Sequence, residues 1–329
     1  MQRTATAAPA GSALADQVLT HSYPLHDADD LDPLLERIGD ARYVLLGEAS
    51  HGTHDYYLWR ARLSRRLIEE KGFRFIAVEG DWPDCFRVNQ YVQGETPDQS
   101  AEEVLRAFAR WPTWMWANWE IVAFSEWLRA RNQDRPVEER AGFYGLDVYS
   151  LWESLAAITD YLREHHPEAL PAAREAFRCF EPYEEDPRQY AIATRFVPSD
   201  CEDDVLKLLT TVIQKAGAGA EENPADFNAV MNAEALKGAE TYYRAMISGG
   251  GESWNIRDRH MSETLNRLMR FYGSDAKAIV WEHNTHVGDA RYTDMAAAGM
   301  FNVGQVVREE HADDGVVLAG FGSYRGTVI

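Results

Sequence analysis

The chain has 329 residues, of which 45% are hydrophobic, and a formal net charge of −20. That much apolar sequence can bury a sizeable core, which argues against disorder. The acidic balance argues against a nucleic-acid partner or an anionic membrane surface, and no run of about 18 apolar residues is present to span a bilayer.

Residues 1–20 read as a flexible tail rich in Ala, Thr and Gly, without the apolar stretch of a signal peptide, so the expected location is cytoplasmic. Residues 21–329 read as a single domain. A short helix is expected over 31–38, ended by Gly39. Four β-favouring runs then stop abruptly in turns that carry acids or histidines. These are Tyr43–Leu46 before Glu48, 73–78 before Glu79 and Asp81, 143–146 before Asp147, and Ala278–Trp281 before Glu282 and His283. Residues 303–307 and Val316–Ala319 read as two later strands.

Between the first two strands, a helix places Tyr56, Trp59, Leu63 and Leu67 on one face. Arg60, Arg62, Arg65, Arg66, Glu69 and Glu70 are assigned to the other face, and Gly72 closes it. Strand, helix, strand at this spacing makes the strands parallel and predicts a mostly parallel α/β sheet covered by helices on both faces. From about residue 151 to 273 the pattern is almost wholly helical, which predicts a large insertion between two strands. The three cysteines (Cys85, Cys179, Cys201) are odd in number and widely spaced, and read as neither a disulfide framework nor a zinc knuckle. The chain stops within β-favouring sequence, which leads to the expectation of a missing part that pairs with or covers the last strand.

Position carries the functional argument. Ligands of open parallel sheets bind in the crevice beyond the carboxyl ends of the strands. Four strand ends here bear Glu48 with His51, Glu79 with Asp81, Asp147, and Glu282 with His283 and His286. One acid after a strand is ordinary turn chemistry, but four such ends predict a shared site. His51, on a strand-to-helix turn three residues after Glu48, suits a general base whose tautomer the carboxylate fixes; the alternative is a helix cap. His54 is assigned the structural role.

The spacings His51/His54 and His283/His286 admit a metal completed by Glu48, Glu79 and Asp81. The H-E-x-x-H helix is absent, however, and no metal or other cofactor is assigned. Neither Ser50 nor Ser323 lies in a G-x-S-x-G elbow and no cysteine has a matching histidine context, so attack by water is favoured by elimination. Arg257, four residues before Met261, shares the inward stripe of its helix and needs an anionic partner, either a structural carboxylate or a developing oxyanion. Trp111, Trp114, Trp116 and Trp119 offer a stacking wall for a ligand, or plain packing.

The segment Leu46-Gly47-Glu48-Ala49-Ser50-His51-Gly52-Thr53-His54 resembles the first motif of the erythromycin esterase family. Val78-Glu79-Gly80-Asp81-Trp82 is similar to the second and Phe143-Tyr144-Gly145-Leu146-Asp147 to the third. Residues 255–261 are similar to the fourth motif, and Trp281-Glu282-His283-Asn284-Thr285-His286 to the fifth, all in family order from about residue 40 to the end. The resemblance implies a three-layer α/β fold with helical additions and metal-independent or metal-modulated hydrolysis. By the same resemblance Glu48, His51, Glu79, Arg257, His283 and His286 line the active cleft, and His51 activates water.

The expected activity is therefore the opening of a small-molecule ester or lactone, with Asp81, Asp147, Trp116 and Glu282 assigned to substrate binding and the oligomeric state left open. Glu282 stands where macrolide-resistance enzymes usually carry a small apolar residue. A charge there leads to the expectation that erythromycin is a poor substrate and a smaller or more polar ester a better one. A metal-dependent hydrolase on the same rim and a non-catalytic binding protein are the rival readings. The His51–Glu48 pair speaks against the second, since a mere pocket needs no base.

Overall fold

The computed structural model of the chain describes residues 10–96, 99–110, 112–183, 186–194, 200–221, 223–247 and 250–325. They fall into two compact units, Met1–Gly39 and Asp40–Ile329. The first unit holds the helices Ala10–Thr20 and Asp32–Ile38, the second of them opened by a proline and closed at Gly39. Residues 10–20, read from the sequence as tail, are thus helical. Residues 1–9 of that tail and residues 326–329 of the final segment lie outside the described residues.

In the second unit five strands form one parallel sheet of order β3-β2-β4-β1-β5. They are β1 (Tyr43–Leu46), β2 (Phe75–Asp81), β3 (Gly142–Asp147), β4 (Ala278–Trp281) and β5 (Val316–Ala319). Side chains alternate across it, as a strand's period of two requires. Tyr43, Leu45, Phe75, Ala77, Leu146 and Val280 join the core built with Met231 of the helix Pro224–Met246 and with Leu265 and Leu268 of the helix Glu252–Tyr272. Trp281 belongs to the opposite face, where its Nε1 donates to Ser64 Oγ at 3.0 Å and its ring meets Phe124. The helices His54–Glu70 and Trp119–Gln133 supply those two partners, so helices cover both faces.

The register aligns the carboxyl ends. Leu46 pairs with both Trp281 and Ala319, and Val78 with Trp281 and Gly145. Glu48, Glu79 and Glu282 therefore emerge within one or two residues of the same line. β2 shifts register against β3 between Val78 and Asp81. The two backbones approach so closely there that a Cβ on Gly145 would lie 2.3 Å from the Gly80 carbonyl oxygen. Only glycine fits, and the shift carries Asp81 alongside Asp147.

Three readings of the sequence are corrected. Residues 303–307 are not a strand but the start of the helix Val303–Glu310. Asn302 caps that helix by accepting from Gln305 N, and the buried Val303, Val306 and Val307 form a stripe at helical spacing. Arg60 does not sit on the polar face: it is fully buried. Cys179 and Cys201 are joined in a disulfide with a Cα–Cα distance of 5.8 Å. It ties the end of the helix Leu170–Phe180 to the start of the helix Glu202–Ala216. Among the described residues no helix is long and apolar enough to cross a membrane.

The helical insertion has a core of its own. Leu155, Ile158 and Leu162 pack with Ala173 and Ala176, Leu208 and Val212, and Leu236 and Ala239. It joins the sheet through the helix Pro224–Met246, which contributes residues to both cores.

Candidate active site

The corner after β1 is built around one imidazole. Glu48 is fully buried, and its carboxylate is divided between two partners: Oε1 lies 2.7 Å from His51 Nδ1, and Oε2 accepts from Arg60 Nη2 at 3.0 Å. Arg60 is held in turn over the rings of Tyr57 and Trp281, at 4.5 and 5.1 Å from their centroids. With Nδ1–H directed at Glu48, the His51 Nε2 lone pair faces a cavity of about 660 Å³. Burial opposes charge on this ring, but the Glu48 hydrogen bond and the nearby Glu79 outweigh it, so the pKa is raised. The chain leaves this corner through Gly52 at φ 78°, with the Trp114 ring lying over it. His54 begins the next helix and pairs with Glu120.

A second centre gathers around Arg257. Its Nε and Nη2 fork onto Asp147 at 2.9 and 2.7 Å, and Nη2 also donates to Glu79 Oε1 at 2.7 Å. Glu79 Oε2 accepts from His283 N at 2.7 Å, and Oε1 lies 4.0 Å from His51 Nε2. Burial resists ionisation of Glu79, yet His286 and Arg257 hold it well below the usual carboxylate range. Asp147 is lowered in the same way, with Arg257 overcoming burial.

His286 stacks on Trp254 and directs Nδ1 to Asp258 Oδ1 at 2.9 Å. Burial works against its charge, but Glu79 and Asp258 raise its pKa to about 10. Its Nε2 lies 3.4 Å from Glu79 Oε1 and 3.0 Å from Arg257 Nη1.

The cavity is lined by His51, Glu79, Asp81, Asp147, Trp116 and Arg257, so six of the ten site residues expected from the sequence converge on it. Trp116 also donates from Nε1 to the Glu79 carbonyl at 2.9 Å, and so combines packing with lining. Asp81 receives Arg110 Nε and the Tyr149 amide; burial pushes its pKa up to about 7. Four expected residues lie behind this surface. Glu48 and His286 are buried; Glu48 contacts His51, and His286 contacts Glu79 and Arg257. His283 lies beside His51, at 5.2 Å between ring centroids, but both its nitrogens are occupied by Thr285 and by the Ala49 carbonyl.

The assignment of Glu282 to substrate binding is corrected. It does not line the cavity: it is fully buried, and neither carboxylate oxygen has a hydrogen-bond partner. Burial raises its pKa well above the ordinary value, so it is a neutral acid and places no charge beside the reacting groups. Folding therefore takes up a proton here. Stability from this group is present at low pH and falls by up to about 1.4 kcal/mol per pH unit above the unfolded pKa. Glu282→Gln, neutral at every pH, is expected to melt higher than wild type at pH 8 and to lose that advantage at pH 5. An equal shift in melting temperature at both pH values would contradict a protonated Glu282.

Sequence reasoning missed four residues. Arg60 was legible: it lies four residues after Tyr56 and seven before Leu67, within the inward stripe. Asp258 follows Arg257 directly and was hidden by its neighbour's prominence. Arg110 and Tyr149 line the cavity from loops without periodicity. Trp111, one of the four expected wall tryptophans, lies outside the described residues, and Trp119 is exposed. Among the described residues no three His, Cys, Asp or Glu side chains are grouped to hold a metal ion.

Comparison with known proteins places this geometry. The family model described as "Erythromycin esterase" matches residues 68–329. "Erythromycin esterase type II" of Escherichia coli is 25% identical over 328 residues, covering 93% of this chain and 74% of that protein. "Putative hydrolase YbfO" of Bacillus subtilis (strain 168) is 21% identical over 285 residues, covering 81% and 62% respectively. Among solved structures, a succinoglycan biosynthesis protein superposes with a TM-score of 0.73 at 22% identity, covering 95% of this chain and 75% of that one. A mutant of the erythromycin esterase EreC in its open conformation gives 0.64 at 17% identity, covering 88% and 72%. At these identities the structural likeness speaks to fold, a mostly parallel α/β sheet with helices. With four-fifths of its length matched by the family model, the chain belongs to the erythromycin esterase family.

Proposed function

We propose that this hydrolase opens a carboxylic ester or lactone with water activated by His51. The observation that carries the reading is the 2.7 Å Glu48–His51 pair, which turns a free Nε2 into the cavity facing Glu79 and Arg257. His51 takes the proton of a water held between Nε2 and Glu79 Oε1, and Glu48 stabilises the imidazolium that results. Hydroxide attacks the acyl carbon. Arg257 then meets the developing oxyanion with a guanidinium already fixed by Asp147 and Glu79, which needs no reorganisation. When the tetrahedral species collapses, His51 returns its proton to the leaving alkoxide. His286 acts from behind, keeping Glu79 ionised, and His283 holds the Ala49 carbonyl beside the base.

The scheme assigns no step to a metal, in contrast with the metal-dependent rival. Exhaustive chelation is expected to leave most of the activity, with no stoichiometric metal found by elemental analysis. Activity restored only by a tightly bound ion would move the case to that rival.

The expectation that erythromycin is a poor substrate rested on a charged Glu282 and loses that ground. The test is a panel of macrolides, lactones and simple esters scored by product mass. Ring-opened or cleaved products with wild type and none with His51→Ala support the reading; no product from any ester or lactone would leave a binding protein of this fold.

A further inference from the structure

The outer wall of the catalytic cavity includes Asp186, Pro187 and Arg188, at the start of the helix Pro187–Thr194. These residues lie inside the loop that the Cys179–Cys201 disulfide closes, at a sequence separation of 22. Among the described residues of the same loop Tyr190 is a further anchor, its ring buried against Phe180 and Tyr183. Its hydroxyl donates to Glu240 Oε1 at 2.7 Å and accepts from Cys201 N at 3.2 Å. The wall residues are thus strung between a covalent tie at Cys179 and a tyrosine anchor, and the two supports meet at Cys201.

We infer that the Cys179–Cys201 disulfide is a redox-sensitive brace of the cavity wall, through which a dithiol weakens the hold on substrate while leaving the reacting groups in place. This rests on the reading of the cavity as the substrate site. The chemistry is thiol–disulfide exchange. An external thiolate attacks Sγ of Cys179, the partly exposed member of the pair, and the S–S bond breaks. Cys201 leaves as a thiolate and is protonated. The reductant's second thiol then displaces Cys179, and the reductant departs as its own disulfide. Two electrons enter, and two protein thiols remain.

None of the groups around His51 and Arg257 belongs to this loop, so the chemical step keeps its geometry. What changes is the freedom of the wall. Opening a closed loop returns conformations that the cross-link had removed, and ordering them again on binding weakens affinity.

The test compares air-oxidised protein, protein reduced with dithiothreitol, and the Cys179→Ser/Cys201→Ser double variant. Thiol titration of denatured, unreduced protein should find one thiol, Cys85; three thiols would overturn the inference. Tryptic cleavage at Arg188 should accelerate on the order of tenfold on reduction, because local opening limits it. For any ester the protein hydrolyses, KM should rise about threefold or more with kcat unchanged. Cleavage and KM that are both indifferent to the redox state would overturn the brace. The cleavage readout does not depend on ester hydrolysis, so failure of the proposed function and failure of the brace are told apart. Reduced wild-type protein carries the test if the double variant does not fold.

Discussion

Replacing Arg257 with methionine is expected to lower turnover by about a thousandfold or more, because a cation fixed by Asp147 and Glu79 in the wall of the cavity is lost. The same change should cost about 3–5 kcal/mol of stability, since it leaves buried carboxylates without their partner. Glu79 and Asp147 are both held below the ordinary carboxylate range, and Arg257 is a cause in each case. A depressed carboxylate pKa contributes stability that is present above the unfolded value and lost as pH falls through the folded one. The variant should therefore be most damaged near neutrality and should recover relative to wild type as pH drops toward 4 and both carboxyls protonate. Arg257→Lys should fall between, because a point charge cannot fork onto Asp147 while also reaching Glu79. Urea unfolding at pH 4.5 and pH 7.5 checks the stability difference. A loss of the same size at both pH values would show that the arginine's packing, not its charge, is what matters.

The second large effect belongs to His51. His51→Ala is expected to lower kcat/KM by about a hundredfold or more, the usual cost of removing a general base, with the fold intact. Side-chain exposure of 31% and a place in a turn mean that little packing is lost with the ring. The pH profile gives a sign as well as a size. A base must be unprotonated, and the pKa of His51 is raised through Glu48 and Glu79 against the effect of burial. Activity should therefore fall as pH drops, on a limb displaced above the ordinary histidine value. Glu48→Gln removes the main cause of the raise and should move the limb toward lower pH, while cutting the rate because the amide no longer stabilises the imidazolium. An acid limb that stays in place in Glu48→Gln would mean that another group titrates.

The strand ends were legible because two simple periodicities combine there. Parallel strands bury both faces, so β1, β2, β3 and β4 read as short apolar runs, and the first polar residue after each run marks the carboxyl edge. That placed Glu48, Glu79, Asp147 and Glu282 on one rim without any knowledge of distances. Whether each one points into the cavity depends on the pleat. Glu79 and Glu282 both end apolar runs, yet Glu79 lines the cavity while Glu282 is fully buried away from it. No single-sequence pattern separates those two outcomes.

The Val303–Glu310 helix was misread for a related reason. Its three buried valines favour a strand locally, and the Asn302 cap with tertiary burial overrides that preference. The disulfide was invisible because residues 22 apart are brought together only by the packing of two helices in the insertion core.

The most direct test of the account is hydrolysis in water enriched with oxygen-18, using an ester or lactone identified in the substrate panel, by wild type and by His51→Ala at matched folded concentration. Water activated by His51 predicts one heavy oxygen in the acid product from the first turnover onward, formed at least about a hundredfold more slowly by the variant. Product formed by His51→Ala at the wild-type rate, or unlabelled acid in a single turnover, would contradict it.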